Sequence, residues 1–160
     1  MITDTIYPLL LILHLSGMAI AAGITFANFI AYKQFWKLYS INKAQGVLSF
    51  RGINKFNLFG MLSLFLTILS GMGMLWMVDW VFVQLLWFEI KLTLVVLLFV
   101  NGFTMGRINN EKLANLISIK DDPNPLPDDV DTLKRNLQIF QGTQLILFLL
   151  IIILVVFKIN

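Results

Sequence analysis

Ile6-Tyr7-Pro8-Leu9-Leu10-Leu11-Ile12-Leu13-His14-Leu15-Ser16-Gly17-Met18-Ala19-Ile20-Ala21 opens a run that meets no Lys, Arg, Asp or Glu until Lys33. An α-helix crosses the hydrocarbon core of a bilayer with about 20 apolar residues, and the run over 6–32 exceeds that. Residues 56–78, 85–105 and 137–157 also qualify, and only the third of the four carries formal charges, Glu89 and Lys91. Open strands are excluded, because each unpaired backbone group in lipid costs about several kcal/mol. The expected fold is an all-α integral membrane protein, a single membrane domain over 1–160. It reads as an up-down bundle of four transmembrane helices with a cytoplasmic loop over 106–136.

Composition agrees. The chain has 160 residues, 58% hydrophobic and 13% charged, where a soluble domain carries about a quarter charged. Its mean hydropathy is +0.82. With no cysteine, disulfides, thiolate metal sites and iron–sulfur clusters are excluded. No Lys or Arg precedes the first apolar run, so it is expected to remain as an anchor rather than act as a cleaved signal. The net charge of +3 would suggest nucleic acid in a soluble protein. Here the basic residues flank spans and read as topology signals, with no nucleic-acid partner expected.

Lys33, Lys37, Lys43, Arg51 and Lys55 lie between the first two spans with no acid among them, and Arg107, Lys112, Lys120, Lys134 and Arg135 lie between the last two. The opposite side offers Asp4, Asp79 and Lys158. The positive-inside rule makes both long loops cytoplasmic and both termini external, as in a multi-pass protein of a bacterial inner membrane. Trp76, Trp80 and Trp87 form an outer interfacial belt and Tyr32, Trp36 and Tyr39 an inner one. The prolines of Asp121-Asp122-Pro123-Asn124-Pro125-Leu126-Pro127-Asp128-Asp129 break any helix. Asp128, Asp129 and Asp131 suit the following helix N-terminus, and the spacing is not that of a calcium loop.

Two titratable side chains lie inside the apolar runs at matching depth. At about 1.5 Å per residue, His14 and Lys91 are both roughly 10 Å below the outer surface. His14, Gly17, Ala21, Thr25 and Asn28 share one helical face by steps of three or four, whose small residues admit a second helix or a flat ligand. Lys91, Val95, Leu98 and Gly102 share a face on span three, with Asn101 at its edge, and Gly102 with Gly106 forms a GxxxG pair. A lysine inside the bilayer is a functional candidate, against the alternative that Lys91 snorkels outward. His14 has its own alternative, a neutral hydrogen-bonded packing residue. Asn28, Asn57, Asn101, Gln138, Gln141 and Gln144 form a second polar layer and read as interhelical hydrogen-bond groups. Met72, Met74 and Met77 could join an imidazole around Cu(I) or simply fill gaps.

His14, together with Trp87-Phe88-Glu89-Ile90-Lys91-Leu92 and Asn101-Gly102-Phe103-Thr104-Met105-Gly106-Arg107, resembles the HemJ-type membrane protoporphyrinogen oxidases. The matching positions are His14, Trp87, Lys91, Leu92, Gly102, Phe103, Gly106 and Arg107. Asn101 stands where the family pattern has a second histidine, and asparagine neither ligates haem iron nor shuttles protons near neutral pH. The resemblance implies a haem b or porphyrin site with His14 as axial metal ligand and Lys91 as proton donor or carboxylate partner. The candidate catalytic residues are then Lys91 and His14, and the cofactor-binding set His14, Gly17, Ala21, Asn101 and Arg107. Oxidation of a porphyrinogen also implies an electron acceptor, a quinone or a partner protein, and one histidine per chain implies a homo-oligomer for bis-histidine ligation. The alternative is a non-enzymatic binding or packing module of the same fold in the lipid bilayer. Transport would call for broken helices or inverted repeats, which the sequence lacks.

Overall fold

A computed structural model describes residues 2–118 and 129–157, and the described residues are helical apart from short turns. Helix α1 spans Ile2–Ile41, α2 Lys43–Met77, α3 Leu86–Asn101, α4 Arg107–Ser118 and α5 Asp129–Phe157. A 3-10 turn over Val81–Gln84 precedes α3, and a π-helical turn over Gly102–Gly106 joins α3 to α4 without a break. Four helices are long and apolar enough to cross a membrane: Thr5–Ile41, Lys43–Met77, Leu86–Ile117 and Val130–Phe157. Large apolar side chains cover their outsides, among them Ile12, Phe59, Phe65, Val96 and Ile146. The interior holds Asn28, Ser63, Ser70, Gln141 and Gln144 beside its buried apolar residues. Long helices with so apolar an exterior suit a multi-pass membrane protein.

The helices outrun the spans expected from hydropathy. Forty residues of α1 make a rod about 60 Å long, twice the hydrocarbon thickness. Residues 33–55 are therefore not a loop. They extend α1 and α2 beyond the apolar zone, and Asn42 alone links them. Asn42 is extended (φ −147°, ψ 109°), and its Oδ1 accepts from the Ala44 and Gln45 amides at 3.0 and 3.4 Å, capping α2. Gly46 completes the corner, since a Cβ there would lie 2.9 Å from Tyr39.

The expected cytoplasmic loop over 106–136 is likewise helical in part: α4 continues the third span to Ser118, and α5 begins at Asp129. The proline-rich stretch lies outside the described residues except for Asp129. Polar helices persist here because they pack. Tyr32, Phe35, Phe50, Ile53, Leu113, Leu133 and Leu137 form a core beyond the apolar runs.

Helix α1 packs along α2, and α3 packs along α5 rather than α2, with α5 also against α1. A second core, Ala21, Leu98, Phe148 and Ile151, joins the two hairpins within the apolar zone. At the far end α2 stops where Asp79 and Trp80 take left-handed conformations (φ 49° and 61°). The Trp80 amide closes the turn on the Leu75 carbonyl at 3.2 Å.

Candidate functional site

His14 is half-buried on α1 and faces α2. Its Nδ1 lies 2.7 Å from the Thr67 carbonyl oxygen and 3.3 Å from Ser70 Oγ. A carbonyl only accepts, so Nδ1 carries the proton and Nε2 keeps its lone pair. The Ser70 hydroxyl in turn donates to the Leu66 and Thr67 carbonyls at 2.8 and 3.0 Å. Gly71 makes room for the ring: a Cβ there would stand 2.9 Å from His14 Cε1 and 3.2 Å from Nδ1.

Lys91 lies on α3 within electrostatic reach of His14. It is half-buried, with Nζ 5.7 Å from the Phe88 ring centroid. The Lys91 charge reaches His14, but among the described residues no contact is seen between the two side chains. They belong to different hairpins, and no hydrogen bond joins them among the described residues.

The remaining residues of the expected cofactor set are elsewhere. Gly17 is buried against α2, where an added Cβ would run into Thr67 Oγ1 and stand 3.0 Å from the Ser63 carbonyl. Ala21 is covered in the core containing Leu98, Phe148 and Ile151. The Gly17 and Ala21 part of the small face of span one is therefore filled by helices, not open to a flat ligand. Asn101 donates to Gln144 Oε1 at 2.9 Å, and Gln144 donates to the Leu98 carbonyl at 3.3 Å, so this amide joins α3 to α5. Arg107 is exposed at the basic end, paired with Glu111 at 2.8 Å. It is 16 positions beyond Lys91, about 24 Å along a helix. The GxxxG pair packs on α5: Gly102 faces Gln144, and a Cβ at Gly106 would lie 2.8 Å from Phe140.

Thr67, Ser70 and Gly71 escaped the sequence reading. Their signal was present, because Gly60, Ser63, Thr67 and Gly71 recur in steps of three or four and mark the face of α2 that meets α1. A second polar group lies towards the basic end. Asn28 donates to Asn57 Oδ1 at 2.7 Å, and the Tyr32 hydroxyl donates to Asn110 Oδ1. Among the described residues no group of three His, Cys, Asp or Glu side chains could hold a metal, so a metal role would rest on His14. Compared with known protein families, curated proteins and solved structures, the chain matches none.

Proposed function

We propose that the chain is a membrane tetrapyrrole-binding protein that takes haem b or a porphyrin beside His14 and Lys91. His14 Nε2 would be the axial ligand and Lys91 the partner of a tetrapyrrole carboxylate. One observation carries the reading. The Nδ1–H bond to the Thr67 carbonyl selects the tautomer and gives the tether that metal-bound histidines use. A lone proximal histidine suffices for haem iron, and haem when bound supplies one-electron redox chemistry. The chain's own part is to orient the imidazole and to set a cation within electrostatic reach of it. Bis-histidine ligation would join two copies.

Protoporphyrinogen-oxidase-like activity is the enzymatic form of this reading, with a quinone or redox partner protein as acceptor and the bacterial inner membrane as location. In that membrane the basic end would be cytoplasmic and both termini external. A second reading, a binding or packing module without redox activity, is favoured by Asn101. Its amide is spent on Gln144, in the position where the resemblance has a histidine.

The test is the absorption spectrum of detergent-purified protein expressed with haem supplementation. A Soret band present in the wild type and lost in His14→Ala is the expected result. A wild type without one would overturn axial ligation. Rescue of a bacterium lacking all protoporphyrinogen oxidases separates the enzyme from the module, given confirmed membrane expression.

A further inference from the structure

Between α1 and α5 at the basic end lies a cleft of about 330 Å³ lined by Lys33, Trp36, Lys37, Ser40, Lys134 and Gln138. Its chemistry is one-sided. Three of its lining residues are lysines, and no carboxylate lines it among the described residues. Among the described residues none of the three lysines forms an ion pair. Glu111 is engaged by Arg107, and Asp131, one turn before Lys134, pairs with neither it nor the others. Three exposed lysines around one cleft, with no acid among its described lining, make it attractive to an anion.

The level of the cleft identifies the anion. The apolar run of α1 ends at Tyr32 and that of α5 starts at Leu137. Lys33, Lys37 and Lys134 therefore sit just past the hydrocarbon, at headgroup depth. A recess of about 10 Å³, room for roughly one water, adjoins the cleft; it is backed by Phe29 and the buried Tyr32 and Leu137 and shares Lys33, Trp36 and Gln138 with it. Lys33 Nζ lies 4.3 Å from the Phe29 ring centroid, at the seam between the two. The Trp36 Nε1–H, in the wall common to both, is buried with no acceptor among the described residues. Such a donor is unfavourable until an acceptor comes within reach. A basic cleft at headgroup depth matches the anionic head of a lipid whose acyl chains remain in the bilayer.

We propose that this cleft binds the phosphodiester headgroup of an anionic phospholipid, with Lys33, Lys37 and Lys134 contacting the phosphate while the acyl chains stay in the bilayer. The site lies at the opposite end of the bundle from His14 and is independent of any tetrapyrrole.

Native mass spectrometry of the full chain in detergent tests it, with phosphatidylglycerol and phosphatidylcholine titrated separately and inorganic phosphate as competitor. The first phosphatidylglycerol should bind roughly tenfold more tightly than phosphatidylcholine, and Lys37→Gln with Lys134→Gln should abolish that preference, at about 1 kcal/mol per lysine. Lys37→Arg with Lys134→Arg should keep it, which separates lost charge from lost fold. Lys43→Gln with Arg51→Gln, cations of the same end outside the cleft, should leave it unchanged. Equal affinity for the two lipids overturns the proposal. So does an equal loss in the Lys43/Arg51 variant, which would mean a diffuse basic belt, or displacement by millimolar phosphate, which would mean a site for a free anion.

Discussion

His14 on α1 is fastened to the backbone of α2, its Nδ1 donating to the Thr67 carbonyl at 2.7 Å while its ring rests where a Gly71 side chain would begin. The ring orientation is thus held by two elements that no side-chain substitution of Thr67 would remove. It is the packing of two helices, not the histidine alone, that aims Nε2.

Gly71→Ala is therefore the sharper probe of the site than His14→Ala. The new Cβ would stand 2.9 Å from Cε1, so the ring or the helix must move, at a cost of about 1–3 kcal/mol. A lowered unfolding temperature in detergent is expected, with a displaced Soret band where haem is bound. An unchanged melting curve would mean that the imidazole does not seat on Gly71.

Gly17 and Gly23 make a paired test of the α1–α2 contact. Gly17→Ala meets Thr67 and the Ser63 carbonyl and should destabilise by about 1–3 kcal/mol. Gly23→Ala meets nothing within 4 Å and should be neutral or gain up to about 1 kcal/mol of helix propensity. Equal responses in thermal unfolding would contradict the close approach at Gly17.

Asn28 and Asn57 satisfy only half of each other, since Asn28 Oδ1 and Asn57 Nδ2 are buried without partners among the described residues. Replacing either by Leu strands the remaining amide, at about 1–3 kcal/mol, whereas replacing both removes the problem. The double variant should melt above both single variants. A double variant that falls by the sum of the two would show the amides to be independent.

Asn101 and Gln144 should couple by about 0.6 kcal/mol, and by no more than about 1.7, in a double-mutant cycle of alanine substitutions, the range for hydrogen bonds between membrane helices. Gln144→Ala should cost more than Asn101→Ala, because Gln144 also reaches the Leu98 carbonyl at 3.3 Å. Zero coupling would remove the amide pair as a link between α3 and α5.

Four helices long and apolar enough to cross a membrane were legible in the apolar runs, three of them uncharged and the remaining one, span three, carrying Glu89 and Lys91. Depth is linear along a helix, so the sequence sets His14 and Lys91 at similar levels in their helices. Helix ends were not legible. Hydropathy marks where lipid ends, but α1 and α2 continue through Lys33 and Lys55, held by the Phe35 and Phe50 core. That core forms only when residues distant in sequence meet.

The sequence by itself determined that four helices are long and apolar enough to cross a membrane, and which polar side chains lie within their apolar runs. Only the tertiary structure decided their partners. The small face of span one suited a helix and a flat ligand equally well, and α2 and the Leu98–Phe148 core occupy its Gly17 and Ala21 part. Asn101 went to Gln144, while His14 received a backbone carbonyl of α2 and came within reach of the Lys91 charge. The physical reason is rotational. Composition and spacing give depth along each helix, but the face that each helix turns to its neighbours follows from packing between helices.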